Sequence, residues 1–481
     1  MRERMRRTAA AASALLLASA IAGCASGERQ AGETIGKGTN EAVHATNGTA
    51  DSNEQGAAQP GTDTGGQPSA DAGGAAQDGA SNQAATNVGP GDGPAPNSSG
   101  VSPGAAEAAS EGNLADTALL RQIAEMTLAE RIGQLIVAGV DGTAADAGAQ
   151  RMIREQHVGG VIFYKDNLAS AESVIRYVNQ LKAWNAGGAA PLLLSVDQEG
   201  GKVSRLPELK KLPNARVIGD AGDARLAEDV GEILARACAQ LGLNVDFAPV
   251  LDINSNPANP VIGARAFGSG EKVVTEMGLA TMKGIRSQGV IPVVKHFPGH
   301  GDTAVDSHLD LPVVNKGLDE LKAFEWKPFE AAIREGAGAV MVAHILFPKV
   351  DPDYPASLSK TIVTDQLRGM LGFKGVVITD DLTMGAIADH YGMGEAAVLS
   401  VKAGADLVLI AHKYGNVDKA IAAITASVKR GELTEARLNE SVLRVLRLKS
   451  AGKLSDEAIG KPQLAPVNEA IAEVLAQATS G

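Results

Sequence analysis

The sequence predicts an α/β fold: a (β/α)8 TIM barrel forming a single catalytic domain behind a disordered tether. Between residues 113 and 460, eight short, nearly continuous apolar runs alternate with amphipathic helical stretches. That is the pattern of buried parallel strands joined by helices. Several runs end in an ionisable residue, which is where barrels place their chemistry. An open doubly wound sheet fits less well. It carries a glycine-rich phosphate loop after its first strand, whereas here that position reads Ala138-Gly139-Val140-Asp141-Gly142.

The runs lie at 134–140, 160–164, 192–197, 244–251, 290–296, 340–344, 376–380 and 406–411. Helical patterns lie between them at 146–156, 170–186, 225–241, 271–288, 318–335, 360–370 and 394–403, and a closing helix at 435–450 follows the eighth run. Residues 461–481 form a tail with one short amphipathic helix over 468–478. Apolar residues, at 44%, suffice for a substantial core. Cys238, inside a helical pattern, reads as a small core residue. Two cysteines are too few for a disulfide framework or a cysteine-rich zinc site. A net charge of −12 argues against a nucleic-acid partner, which requires a basic surface.

The N-terminus reads as an address and an anchor. Arg2, Arg4, Arg6 and Arg7 precede an apolar stretch at 9–22. It is shorter than the roughly 20 apolar residues a membrane span takes, and it fits a secretory signal. Ile21-Ala22-Gly23-Cys24-Ala25-Ser26 resembles a bacterial lipobox. Residues 1–23 are therefore expected to be a cleaved lipoprotein signal peptide, with Cys24 lipidated. Acyl chains there would hold an extracytoplasmic protein on a membrane surface. Residues 24–112 are expected to be a disordered linker. From 25 to 112 there is no aromatic residue, and eleven acids stand against Arg29 and Lys37. Such a chain cannot bury enough apolar surface to offset its ordering entropy. As a coil it would span roughly 50 Å.

The segment 295–308, KHFPGHGDTAVDSH, holds three of the eight histidines and is the densest in chemistry. Lys295 and His296 end a buried run, where charge is costly unless a site uses it. His296 and His300 stand four apart, but metal ligands at that spacing usually sit on a helix, which Pro298, Gly299 and Gly301 break. A general acid/base reading fits better: Asp306 lies two residues from His308 and can orient and polarise its imidazole. Other runs end in Asp197-Gln198-Glu199-Gly200-Gly201, His344 and Asp380-Asp381.

Together KHFPGHGDTAVDSH, DQEGGKVSRL, VIGARAFG and VVITDDLTM resemble glycoside hydrolase family 3, in its single-domain β-N-acetylglucosaminidase branch, over about residues 117–450. The resemblance implies a barrel and a retaining mechanism. It implies Asp380 as nucleophile, His308 as acid/base and Asp306 as its partner. It also implies that Asp197, Arg205, Arg265, Lys295 and His296 bind the sugar. Lys202 stands where the family usually has Arg, and Ala266 where Ser is expected. Asp381 alternates with Asp380 along an extended chain and reads as a support. Structural ion pairing with Asp197, Asp246 or Glu199 suits Arg205 better than Lys295. About 30 residues follow position 450, so the acid/base is expected from the barrel and not from a second domain.

The expected activity is removal of terminal, non-reducing β-linked N-acetylglucosamine from peptidoglycan fragments or chitin oligomers, by a monomer. A β-glucosidase, a phosphorylase and a non-catalytic sugar-binding lipoprotein are the competing classes. No nucleotide, flavin or metal requirement is visible in the sequence.

Overall fold

The computed structural model describes residues 115–480. The expected signal peptide, Cys24 and the linker 24–112 lie outside the described residues. Eight strands form the sheet: β1 (Ile136–Gly139), β2 (Gly160–Phe163), β3 (Leu193–Val196), β4 (Val245–Asp246), β5 (Ile291–Phe297), β6 (Ala339–Val342), β7 (Val376–Thr379) and β8 (Val408–Ile410). All pairings are parallel, in the order β7-β6-β5-β4-β3-β2-β1-β8. A parallel bridge between Ile378 and Leu407 closes the circle, and the Thr379 amide donates to the Leu407 carbonyl at 3.1 Å. This is the expected (β/α)8 barrel.

The side-chain period of two sorts each strand into an inner and an outer face. Val137, Ile162, Leu193, Val245, Ile291, Val293, Ala339, Met341, Val376 and Ile378 meet in the barrel interior. Their neighbours Ile136, Ala138, Val161, Leu194 and Val294, Val340, Val377 pack outward against helices. Continuing the inner series one step past the apolar layers reaches Asp197 after β3, Lys295 in β5 and Asp380 after β7. Three odd-numbered strands thus deliver three charged residues to one layer at the carboxyl end, as alternate strands do in this architecture.

Helix starts are set by local capping. Asp146, Ser170, Asp223 and Thr434 each accept a hydrogen bond from a first-turn amide, opening Ala147–Arg154, Ala171–Asn185, Ala224–Gln240 and Glu435–Ala451. Several elements depart from the sequence expectation. The run at 244–251 pairs as a strand only at Val245–Asp246, because Pro249 has no amide for the ladder. The helix expected over 318–335 is two pieces, Leu318–Ala323 and Lys327–Arg334, with Pro328 in the first turn of the second. A helix absent from the sequence reading, Tyr414–Lys429, follows β8 ahead of the closing helix. Its buried face includes small Ala420 and Ser427, which weakens its apolar signal. The tail helix spans Ala465–Ser480, and Val467, Ile471 and Val474 join the main core. Thr361–Met370 is π-helical.

The amino-terminal end of the barrel is held by one buried carboxylate. Asp406, fully buried just before β8, is reached by Arg368 Nη2 at 2.5 Å and Arg444 Nη1 at 3.1 Å. It also accepts from Ser441 Oγ at 2.7 Å and from the Val377 amide at 3.0 Å. Asp406→Ala would leave the arginines without their counter-charge, and breaking such a pair costs about 3–5 kcal/mol. Urea unfolding of Asp406→Ala should therefore show a large drop in midpoint; a midpoint within error of wild type would refute this role.

Candidate active site

A cavity of ≈ 400 Å³ opens at the carboxyl ends of the strands. Asp197, Arg205, Arg265, Lys295, His296, Asp306, His308 and Asp380 all line it, so the eight folded residues expected at the site come together. Lys295 is buried on the inner face of β5, and its Nζ lies 2.6 Å from Asp197 Oδ1 and 2.7 Å from Glu199 Oε1. Glu199 also receives both arms of Arg265, at 2.8 and 2.7 Å. The turn that presents Glu199 runs through Gly200 and Gly201, at φ +87° and +53°, which glycine adopts without steric cost. Burial pushes the Glu199 carboxyl up, but Arg265 and Lys295 hold it far below the ordinary range.

The ion pairing differs from the sequence expectation. Lys295 and Arg265 carry the carboxylate partners, whereas Arg205 makes no salt bridge among the described residues. Arg205 Nε is buried without a hydrogen-bond partner, and the residue lines the cavity.

Asp380 follows β7 directly. Its amide donates to the Val342 carbonyl at 2.9 Å, and its Oδ1 accepts from the Asp381 amide at 2.8 Å. Burial would raise this carboxyl. His344, His296, the Asp381 amide and Lys295 more than offset that and keep it below the usual aspartate value. Asp381 moves the other way: burial and the neighbouring Asp380 charge outweigh its bonds to Thr383 and Ala411 and raise it. Two adjacent carboxyls are thereby driven apart in acidity, the mark of groups with different duties. Asp381 accepts from Thr383 Oγ1 at 2.5 Å and from the Ala411 amide at 2.9 Å, a supporting position as expected.

His308 Nδ1 lies 2.7 Å from Asp306 Oδ1, and the same oxygen accepts the His308 amide at 2.9 Å. The imidazole is 63% exposed, with Nε2 free of the Asp306 contact. Partial burial pushes the Asp306 carboxyl up, but the bonds from His308 lower it overall, so it stays anionic. His296 and His300 have protein partners of their own. Asp252 Oδ2 lies 2.6 Å from His296 Nδ1, and His300 Nδ1 lies 2.9 Å from Thr303 Oγ1.

From the sequence, His344 is marked only as the end of a run, and Asp252, Tyr164 and His412 are not marked as site residues. Asp252 and His412 stand one residue beyond apolar runs, the same signal that marked Asp197. Asp252 holds His296. His344 Nε2 lies 3.0 Å from the Asp381 carbonyl, and its Nδ1 lies 2.7 Å from Ser357 Oγ. The Tyr164 and His412 rings lie 5.3 Å apart on the cavity wall.

A parallel barrel with a charged cavity at the carboxyl ends of its strands is the architecture of a barrel enzyme, and the family of the chain makes it a glycoside hydrolase. The sequence profile of the glycosyl hydrolase family 3 N terminal domain matches residues 127–448, and the chain belongs to that family. It is 36% identical over 328 residues to beta-hexosaminidase LpqI of Mycobacterium tuberculosis, spanning 66% of this chain and 82% of that protein. It is 33% identical over 325 residues to beta-hexosaminidase A of Pseudoalteromonas piscicida, spanning 62% of this chain but only 54% of that longer relative. The solved family 3 β-N-acetylglucosaminidase from a Paenibacillus species superposes with a TM-score of 0.71 at 41% identity, over 73% of this chain and 69% of the other. The β-N-acetylhexosaminidase of Beutenbergia cavernae gives 0.63 at 32%, over 68% and 99%.

One consequence concerns acid stability. Burial, reinforced by the nearby His296, lowers the His300 imidazole from 6.5 to about 4. The unfolded imidazole binds its proton near pH 6.5, and the folded one does so only near pH 4. Stability should therefore fall as pH drops through that window, by on the order of 3 kcal/mol from this group. His300→Gln should lose less stability between pH 7 and pH 4 in urea unfolding. An equal loss would place the titration elsewhere.

Proposed function

We propose that the protein is a retaining, exo-acting β-N-acetylglucosaminidase acting on terminal, non-reducing β-linked N-acetylglucosamine in peptidoglycan fragments or chitin oligomers. The observation that carries this reading is the sharing of one cavity by ionised Asp380 and the His308–Asp306 pair. In the first step Asp380 attacks the anomeric carbon while the glycosidic C–O bond breaks. His308, protonated at both nitrogens, gives the Nε2 proton to the leaving oxygen. In the second step neutral His308 takes a proton from water, whose oxygen attacks the anomeric carbon and releases Asp380. Asp306 holds Nδ1–H in both steps and stabilises the imidazolium. Asp197, Arg205, Arg265, Lys295 and His296 bind the sugar hydroxyls.

The names of the relatives support the hexosaminidase choice within the family. An extracytoplasmic site of action, with Cys24 as a lipid anchor, is part of the same reading. It rests on the lipobox-like sequence and on likeness to a secreted glycosyl hydrolase of Arthroderma benhamiae, 34% identical. Among the described residues no helix is long and apolar enough to cross a membrane.

The test compares an aryl N-acetyl-β-glucosaminide with the matching β-glucoside, each with and without phosphate. Selective, phosphate-independent turnover of the N-acetyl substrate is expected. Preference for the glucoside, or phosphate-stimulated release of a sugar phosphate, would overturn the assignment, and no turnover would favour a binding protein. Asp380→Ala should lower kcat by at least about a thousandfold. Because Asp380 is held below the ordinary aspartate range, the acid limb of kcat/KM should lie below that range. His308→Ala should abolish the alkaline limb; an unchanged limb would remove His308 from the role.

A further inference from the structure

The loop that carries His308 is anchored at its base. The His300 amide donates to Asp252 Oδ1 at 2.7 Å, and Asn259 Nδ2 donates to the His300 carbonyl at 2.8 Å. The Asn256 amide donates to the Gly301 carbonyl at 3.2 Å. A Cβ on Gly301 would stand 1.7 Å from the Ile253 carbonyl oxygen, so the two backbones meet there only because position 301 has no side chain. From this fixed base the buried His300 ring reaches forward, and its Nε2 lies 3.2 Å from Ser307 Oγ. Ser307 is the residue between Asp306 and His308.

The direction of each bond follows from its neighbours. Thr303 Oγ1 spends its hydrogen on the His300 carbonyl at 3.1 Å, so it accepts from His300 Nδ1–H. Nε2 of the neutral ring is then the acceptor, and the Ser307 hydroxyl donates to it. On the far side, the Ala386 and Gly385 amides donate to the Ser307 and His308 carbonyls at 3.2 and 3.3 Å. These amides belong to the short helix Gly385–Ala388, which follows Asp380 closely in the chain. The same Asp252 that anchors His300 through Oδ1 holds the sugar-pocket His296 through Oδ2.

We propose that Ser307 and His300 are positioning residues that fix the His308–Asp306 pair toward the scissile bond, and that Asp252 aligns them with His296 at the sugar end. This rests on the reading of His308 as proton donor. It predicts a loss confined to substrates whose leaving group needs that proton. The values of kcat/KM, which report the first step alone, should be compared for an alkyl and a dinitrophenyl N-acetyl-β-glucosaminide. Ser307→Ala should lose about tenfold or more on the alkyl substrate and less than about threefold on the dinitrophenyl one, a fraction of the general-acid contribution. Ser307→Thr, which keeps the hydroxyl, should restore the alkyl rate, and His300→Asn should reproduce the contrast by removing the same bond from its other end. His308→Ala sets the reference: no leaving-group contrast there would refute the proton-donor reading itself. A contrast for His308→Ala with equal losses, or none, for Ser307→Ala and His300→Asn would overturn the positioning role alone.

Discussion

The arrangement of the site depends on one buried ammonium. Lys295 occupies the inward position of β5 directly above Ile291 and Val293, with 1% of its surface exposed. A cation there must be paired or it will not stay charged. Asp197 and Glu199 supply the pairing, and that requirement shapes the neighbourhood. The chain after β3 must turn sharply to bring two carboxylates to one Nζ, hence the consecutive glycines at 200 and 201. Glu199 then has acceptor capacity left for Arg265, which fixes the turn Gly263–Arg265. Three elements far apart in sequence are locked together by charge compensation around a single side chain.

The same charges prepare the chemistry. Asp380 completes the layer that Asp197 and Lys295 begin, and Lys295 is one of the groups that keep it ionised despite burial. Asp381, one residue on, points to the other face and is tied to Thr383 and Ala411, where it fixes the backbone that presents its neighbour. His344 holds the Asp381 carbonyl from below. Burial lowers this imidazole, which suits a neutral ring bridging a serine hydroxyl and a carbonyl. The nucleophile candidate is therefore held by backbone and buried hydrogen bonds. The acid/base candidate stands on a loop with an exposed ring, where a proton can exchange with water.

Much of this was legible in the sequence. Apolar runs located all eight strands because parallel strands are buried on both faces and read as continuous hydrophobic segments. The position of Lys295 at the end of a run argues for a site role over structural pairing, yet the structure pairs it with Asp197 and Glu199. The helix Tyr414–Lys429 escaped because part of its buried face is alanine and serine. Within the site, the motif residues were legible individually. What ordered them was not, because Asp252, His344 and Ser307 act through bonds to segments 44, 37 and 7 residues away, and no local pattern announces those pairings.

The central claim is that Asp380 forms a covalent bond to the sugar while the His308–Asp306 pair moves the proton. The most direct measurement is to incubate the protein with 5-fluoro-N-acetylglucosaminyl fluoride, which slows release of the intermediate, and to map the adduct by peptide mass spectrometry. The account predicts one fluorosugar on the peptide containing Asp380, at that residue. An adduct on Asp381 or another carboxylate, or turnover of the probe with inverted configuration and no adduct, would contradict it.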